Sequence, residues 1–210
     1  MNIELEQYLK PTPIIDCEAK TIKEKAQGLT KGHNNTVEKA KSLFYFVRDE
    51  IKYNPYLPRY LPEHFQASNT LAGGQGYCVQ KAVLLAALAR AVGIPARLGF
   101  AEIRNNLLSQ KMAKWKGSNV FPHHGYAVLY IEGKWVKATP AFDLQMCQQN
   151  RFIPVEFDGE NDALLPSYNQ DGKLHIEYLL DRGYHDEVPL DEIWDEMIKT
   201  FGTKNVEFPE

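Results

Sequence analysis

Cys78 is the residue whose surroundings most clearly suggest chemistry. It lies in Gly-Gly-Gln-Gly-Tyr-Cys-Val-Gln-Lys-Ala-Val-Leu-Leu-Ala-Ala-Leu-Ala-Arg, residues 73–90, where a glycine-rich loop runs into a strongly apolar helix. The thiol falls in the first helical turn. Backbone N–H groups there have no partner inside the helix, and the helix dipole adds partial positive charge. Both favour thiolate over thiol, which is how a cysteine becomes a nucleophile. The bland alternative is a small apolar residue plugging the top of a core helix. A nucleophilic thiol needs a base beside it, and the base needs an orienting partner. Histidine suits the role because its ordinary pKa is near neutrality. Of the six histidines, His33 and His64 fall in polar or proline-rich loops, and His175 and His185 lie in the C-terminal third. These four read as ordinary surface or half-buried residues. His123 and His124 open an alternating segment, and neighbours on a strand point to opposite faces, so at most one of the two can face the cysteine.

Other chemistries fit poorly. Asp158, Glu160 and Asp162 superficially resemble a calcium loop, but Ala163 stands where glycine is needed and no Glu closes the loop. His123 and His124 cannot chelate one ion from the same strand face, and no cluster of further His or Cys sits nearby. Gly73 to Gly76 lacks the Lys-Ser/Thr of a phosphate loop. Arg97 and Arg104 read as partners for neighbouring carboxylates. No metal and no cofactor is expected. A net charge of −3 argues against a nucleic-acid or basic membrane surface. No apolar run approaches a membrane span, and Met1 to Gln7 lacks the features of a secretory signal. Cys17, Cys78 and Cys147 are three widely spread cysteines with no CxxC pair, which suits free thiols in a reducing cytoplasm.

The elements that must position these groups are partly legible. A helix is expected from Cys17 to about Leu29. Asn35, with Glu38 three residues on, reads as the cap of a second helix striped by Val37, Ala40, Phe44, Val47 and Ile51. Residues 53–62 hold three prolines and three tyrosines and read as an irregular loop. The Cys78 helix is apolar on nearly every face, so it should be central, and Gly93 and Pro95 stop it. A strand follows from Pro95 to Ala101, then a short helix or ordered loop from Asn105 to Trp115. His124–Ile131 and Lys134–Ala138 form a hairpin around Glu132-Gly133. Later come loops to about Pro166, a strand at Leu174–Leu180, and a helix from Asp191 to Phe201. Helices first and antiparallel strands later make the chain α+β. Its 210 residues suit a single domain, with a core over residues 36–143 and an extension over 144–210 packed on it.

The segment Gly76 to Arg97, with Cys78 opening a buried helix that closes as Arg90-Ala-Val-Gly-Ile-Pro-Ala-Arg97, resembles the nucleophile segment of the transglutaminase-like superfamily. That family's second hallmark is a His, an aromatic, a strand, a turn and a Trp. His124-Gly-Tyr-Ala-Val-Leu-Tyr-Ile-Glu-Gly-Lys-Trp135 is similar to it, with Tyr126 where Trp is common. The upstream helix around Val47-Arg48 and Ile51-Lys52-Tyr53 also resembles the family, so the likeness covers residues 36–143. It implies a papain-like core with Cys78 as nucleophile and His124 as base. In the family an Asp follows the Trp by four residues. Here Thr139-Pro140-Ala141 stands there, and the nearest carboxylate is Asp143. Asp143 is the expected third member, with Thr139 as the alternative, unless Asp143 merely caps the next segment.

The resemblance implies acyl transfer through a thioester on an amide or ester, with water or an amine as acceptor. The substrate would be a peptide, a protein or a small amide. The Cys78 N–H would hold the oxyanion, and Gln75 is a weaker candidate for a second donor. The displaced acid keeps open the alternative of a binding protein that retains the fold. Tyr56, Tyr60 and Trp115 are candidates to line the cleft, and the tail beyond Phe152 is long enough to shape it.

Overall fold

The helix that carries Cys78 is apolar all round because it is enclosed all round: every residue from Val79 to Arg90 is buried. The computed structural model describes residues 3–203. Helices α1 (Ile3–Glu6), α2 (Lys20–Thr30) and α3 (Thr36–Glu50) come first. Then follow strand β1 (Lys52–Tyr53), helix α4 (Ala67–Gly73), strand β2 (Gln75–Gly76) and the Cys78 helix α5 (Cys78–Ala91). Strand β3 (Ala96–Asn105), helix α6 (Gln110–Lys116) and the hairpin β4 (Val120–Ile131) and β5 (Lys134–Ala138) continue the chain. Helix α7 (Leu144–Asn150), strand β6 (Ile176–His185) and helix α8 (Leu190–Phe201) end it. Helix α5 packs against α2, α3 and α4 and against strands β3 and β4.

Strands β5, β4, β3 and β6 form an antiparallel sheet in that order. The mixed α+β architecture is as the sequence implies. Asn35 caps α3 by accepting the Glu38 N–H at 2.8 Å. The hairpin turns at Glu132 and Gly133, both with positive φ, a backbone that suits the right-handed twist of the flanking strands. Two expectations need correcting. The first long helix starts at Lys20 rather than Cys17, because the Cys17 and Ala19 N–H groups are already bonded to Ile15 and Asp16 carbonyls in a turn. Helix α7 occupies part of the stretch expected to be loop.

Two devices fix the start of α5. Strands β1 and β2 pair in parallel, Lys52 with Gln75 and Tyr53 with Gly76, which holds the chain just before Cys78. A Cβ on Gly76 would stand 3.2 Å from each of Gln80, Lys81 and Thr70, so glycine permits this approach. Lys81 is fully buried and its Nζ donates to the Arg48 and Ile51 carbonyls at the end of α3. Burial pushes its pKa down to about 7, against the pull of Asp143 and Asp49. The C-terminal part joins the same core: β6 pairs along β3, and Ile193 and Met197 of α8 are buried.

Candidate active site

The end of α5 and the start of β4 meet at a cavity of about 560 Å³. Cys78, His124 and Asp143 all line it, and so do both Tyr56 and Trp115. Cys78 sits at the first turn of its helix, half-buried. Gln80 reaches back to accept the Tyr77 N–H at 3.0 Å, occupying one orphan donor of this end. The Gly125 N–H favours the Cys78 thiolate electrostatically, and Gly125 directly follows His124. A Cβ on Gly125 would lie 3.0 Å from Val79, so glycine lets strand and helix come this close.

The electrostatics revise the expectation of a ready-made thiolate. Burial pushes the Cys78 thiol up. The Gly125 N–H, the Arg59 guanidinium and the N–H groups of Val79 and Cys78 pull it down, and burial prevails. His124 is buried, and with nothing to offset burial its pKa falls to about 4. At neutral pH the pair therefore rests as thiol and neutral imidazole. Arg59 is held over the Tyr77 ring at 4.0 Å and donates to the Pro55 and Leu57 carbonyls. Trp194 of α8 secures the same loop through its Nε1–H to the Arg59 carbonyl at 2.8 Å.

Both His123 and His124 line the cavity, but they pack against different neighbours. His123 lies 3.5 Å from the Glu192 carboxylate of α8 and against Phe100. His124 lies on the face of Tyr126 and Tyr178, with ring centroids 6.5 and 6.1 Å away. The pairing of β3 with β4 shifts between Ala101–His124 and Ile103–Phe121, leaving one extra residue in β4 just ahead of His124. Such a bulge re-aims the side chains beside it.

Asp143 has its carboxylate engaged elsewhere. Oδ1 accepts the Met146 N–H at 2.8 Å and caps α7, the capping role that the sequence left open. Oδ2 accepts the Tyr53 N–H at 2.8 Å and so anchors β1, the partner of the strand leading to Cys78. Among the described residues no hydrogen bond joins Asp143 to His124. Thr139 is buried at the end of β5, and its Oγ1 makes no hydrogen bond of ordinary geometry. Gln75 is exposed, with its amide oxygen bonded to Asn54, and it does not line the cavity. Tyr60 packs on His64 instead of the cleft. Arg104 pairs with Glu177, whereas Arg97 stacks between Trp135 and Tyr184 at 4.2 and 3.9 Å rather than holding a carboxylate.

His175, which the sequence reads as a surface or half-buried residue, is buried, stacks 3.9 Å from Phe152 and has its pKa pushed to about 4 by burial. Sequence reasoning missed Tyr178, taken up below. The roof of the cavity comes from α6 and α8, where Trp115 and Phe201 stack at 4.7 Å. Asp158 folds its carboxylate onto the Glu160 and Asn161 N–H groups at the surface, a local turn. No metal-binding cluster of His, Cys, Asp and Glu occurs among the described residues, and no described helix is long and apolar enough to cross a membrane.

A cysteine at the start of a buried helix and a histidine on an antiparallel strand thus line one cavity. The transglutaminase-like superfamily matches residues 23–140, more than half of the chain, and the chain belongs to that family. Among solved structures it is similar to a protein titled a "Putative Cysteine Protease from Cytophaga hutchinsonii", at 17% identity and a TM-score of 0.56. That match covers 89% of this chain and 48% of the other, so the chain spans about half the length of that protein. A second match is a "putative protease" from Parabacteroides distasonis, at 17% identity and a TM-score of 0.43, covering 65% of this chain and 25% of that one. No curated protein matches the chain.

Proposed function

We propose that this protein is a cysteine-dependent acyl-transfer enzyme acting on an amide or ester bond. The observation that supports the reading is that Cys78 and His124 line one cavity, with Gly125, next to His124, packed against Val79, next to Cys78. Cys78 attacks the carbonyl carbon while His124 removes the thiol proton. The Cys78 N–H, at a helix start, stabilises the oxyanion. Collapse of the tetrahedral species breaks the C–N or C–O bond, and His124 returns its proton to the leaving group. The thioester is then opened by water, giving a peptidase or amidase, or by an amine, giving a transglutaminase. His124 takes a proton from either acceptor.

Asp143 acts in this scheme as a positioning residue, through β1 and the chain before Cys78. The substrate is a peptide, a protein or a small amide, and no nucleic acid, membrane or cofactor takes part. We read the chain as one domain working in the cytoplasm, where its three free thiols stay reduced. The second reading, a binding protein that kept the fold, is favoured by the uncharged Thr139 at the family's acid position. A mass-shift screen against amide and ester donors separates the two. The enzyme accumulates an acyl adduct on Cys78 that hydroxylamine removes, and Cys78→Ala, folded as the parent, does not. Turnover retained by Cys78→Ala excludes the mechanism.

A further inference from the structure

Four buried polar atoms at or beside the site have no hydrogen-bond partner among the described residues, Tyr77 Oη, His123 Nε2, His124 Nε2 and Thr139 Oγ1, and the last two are considered together. Leaving such atoms unpaired in the interior is costly, so a shared explanation is worth seeking. His124 and Thr139 lie on the same face of the sheet. Ala127 pairs with Ala138, which sets Thr139 opposite Tyr126, one strand position pair from His124. A third group joins them from β6. The Tyr178 ring stands 6.1 Å from the imidazole, nearly edge to face at 73°. Its hydroxyl accepts the Leu165 N–H at 3.1 Å, and Ala163, two residues earlier, accepts the Thr139 N–H at 2.9 Å, so one segment holds both the phenol and the threonine. Having accepted one bond, the phenol still has its own proton to give, and Thr139 Oγ1 has two lone pairs to fill.

Resting on the assignment of Cys78 and His124 as nucleophile and base, we propose that Thr139 and Tyr178 replace the family's carboxylate with an uncharged hydroxyl pair. Thr139 Oγ1 accepts from His124 Nε2–H on one side and from the Tyr178 hydroxyl on the other. The bond fixes the imidazole tautomer with its lone pair on Nδ1, the nitrogen left to take the Cys78 proton. It supplies no negative charge, so imidazolium forms only as the thiol proton is transferred. Leu165 and Tyr178 belong to the 144–210 extension, which thereby contributes a positioning residue to a site otherwise built from 36–143.

The test reads the pH dependence of Cys78 alkylation by iodoacetamide, followed by peptide mass mapping, together with turnover of p-nitrophenyl acetate. Thr139→Asp places a carboxylate beside Nε2–H and favours a thiolate–imidazolium pair. Its alkylation midpoint should fall by about one pH unit or more relative to the parent. Tyr178→Phe and Thr139→Val should each lower kcat about tenfold, the size of one lost hydrogen bond, with KM within about twofold. A Thr139→Asp profile identical to the parent's, or full kcat in both hydroxyl-deletion variants, overturns the proposal. If Thr139→Asp fails to fold, those two variants decide alone. His124→Ala separates the layers: loss of turnover with an altered alkylation profile upholds the base on which the proposal rests. An unaltered profile and full turnover would remove His124 from the site, and this proposal with it.

Discussion

Three backbone N–H groups and a guanidinium act on the Cys78 sulfur, whereas no charged group offsets the burial of the His124 imidazole on the facing strand. The helix tip is thus arranged to receive negative charge and the sheet is arranged to refuse positive charge. Neither group is ionised at rest. The asymmetry teaches where this site stabilises the reaction: at the sulfur and the oxyanion next to it, with the imidazole carrying a proton only in passing.

The contrast can be broken most severely at the sulfur. Cys78→Ala should reduce hydrolysis of p-nitrophenyl acetate to the rate of buffer while leaving the melting temperature near the parent's. The imidazole side is tested by acid. His124 and His175 have folded pKa values of about 4, below the ordinary 6.5 of histidine. As pH falls, the unfolded chain therefore binds protons first. Stability from these groups is intact above about pH 6.5 and drains away toward pH 4, by about 3 kcal/mol for each histidine. Urea denaturation across that window should show the fall, and a flat profile would mean that the rings are solvated.

Gly125→Ala strikes where the two sides touch. Its methyl group would press on Val79 at 3.0 Å, and the strand must retreat, at about 1–3 kcal/mol in stability. Turnover should fall further than stability predicts because the strand that bears His124 moves away from the start of α5. Asp143→Ala removes a cap and a partner of Tyr53, and should cost about 2 kcal/mol. The pH profile of Cys78 alkylation should stay where it was. A displaced profile would restore Asp143 to direct contact with the imidazole. The smallest effect sharpens the rest: Asn35→Ala, at a cap far from the cavity, should cost about 1 kcal/mol with kcat unchanged.

The half of the site on the helix was legible because local rules wrote it. All-round apolar residues from Val79 to Ala89 demand central burial, and a glycine-rich approach marks the helix start. The hairpin was equally plain from its alternation and its Glu132-Gly133 turn. What failed depended on distance. The sequence favours Asp143 over Thr139 as the partner of His124, yet the Asp143 oxygens accept from Tyr53, ninety positions away, and from Met146. Nothing local announces a bond of that span. Helix α7 was overlooked because seven residues with a single buried side chain, Cys147, carry no apolar period. Tyr178 was invisible for the same reason as Asp143, since only the pairing of β6 on β3 brings it to the site. The thiolate was inferred from the helix end alone, and desolvation, which needs the whole fold, outweighs it.

The depth of the other two cysteines has a practical consequence. Cys17 and Cys147 are 3% and 1% exposed, and burial raises both thiols, that of Cys147 to about 11. A brief pulse of a thiol-specific mass tag should therefore mark intact molecules once and denatured ones three times. The chain carries its own ruler of integrity, on which a damaged variant and an inactive but well-formed one give different counts.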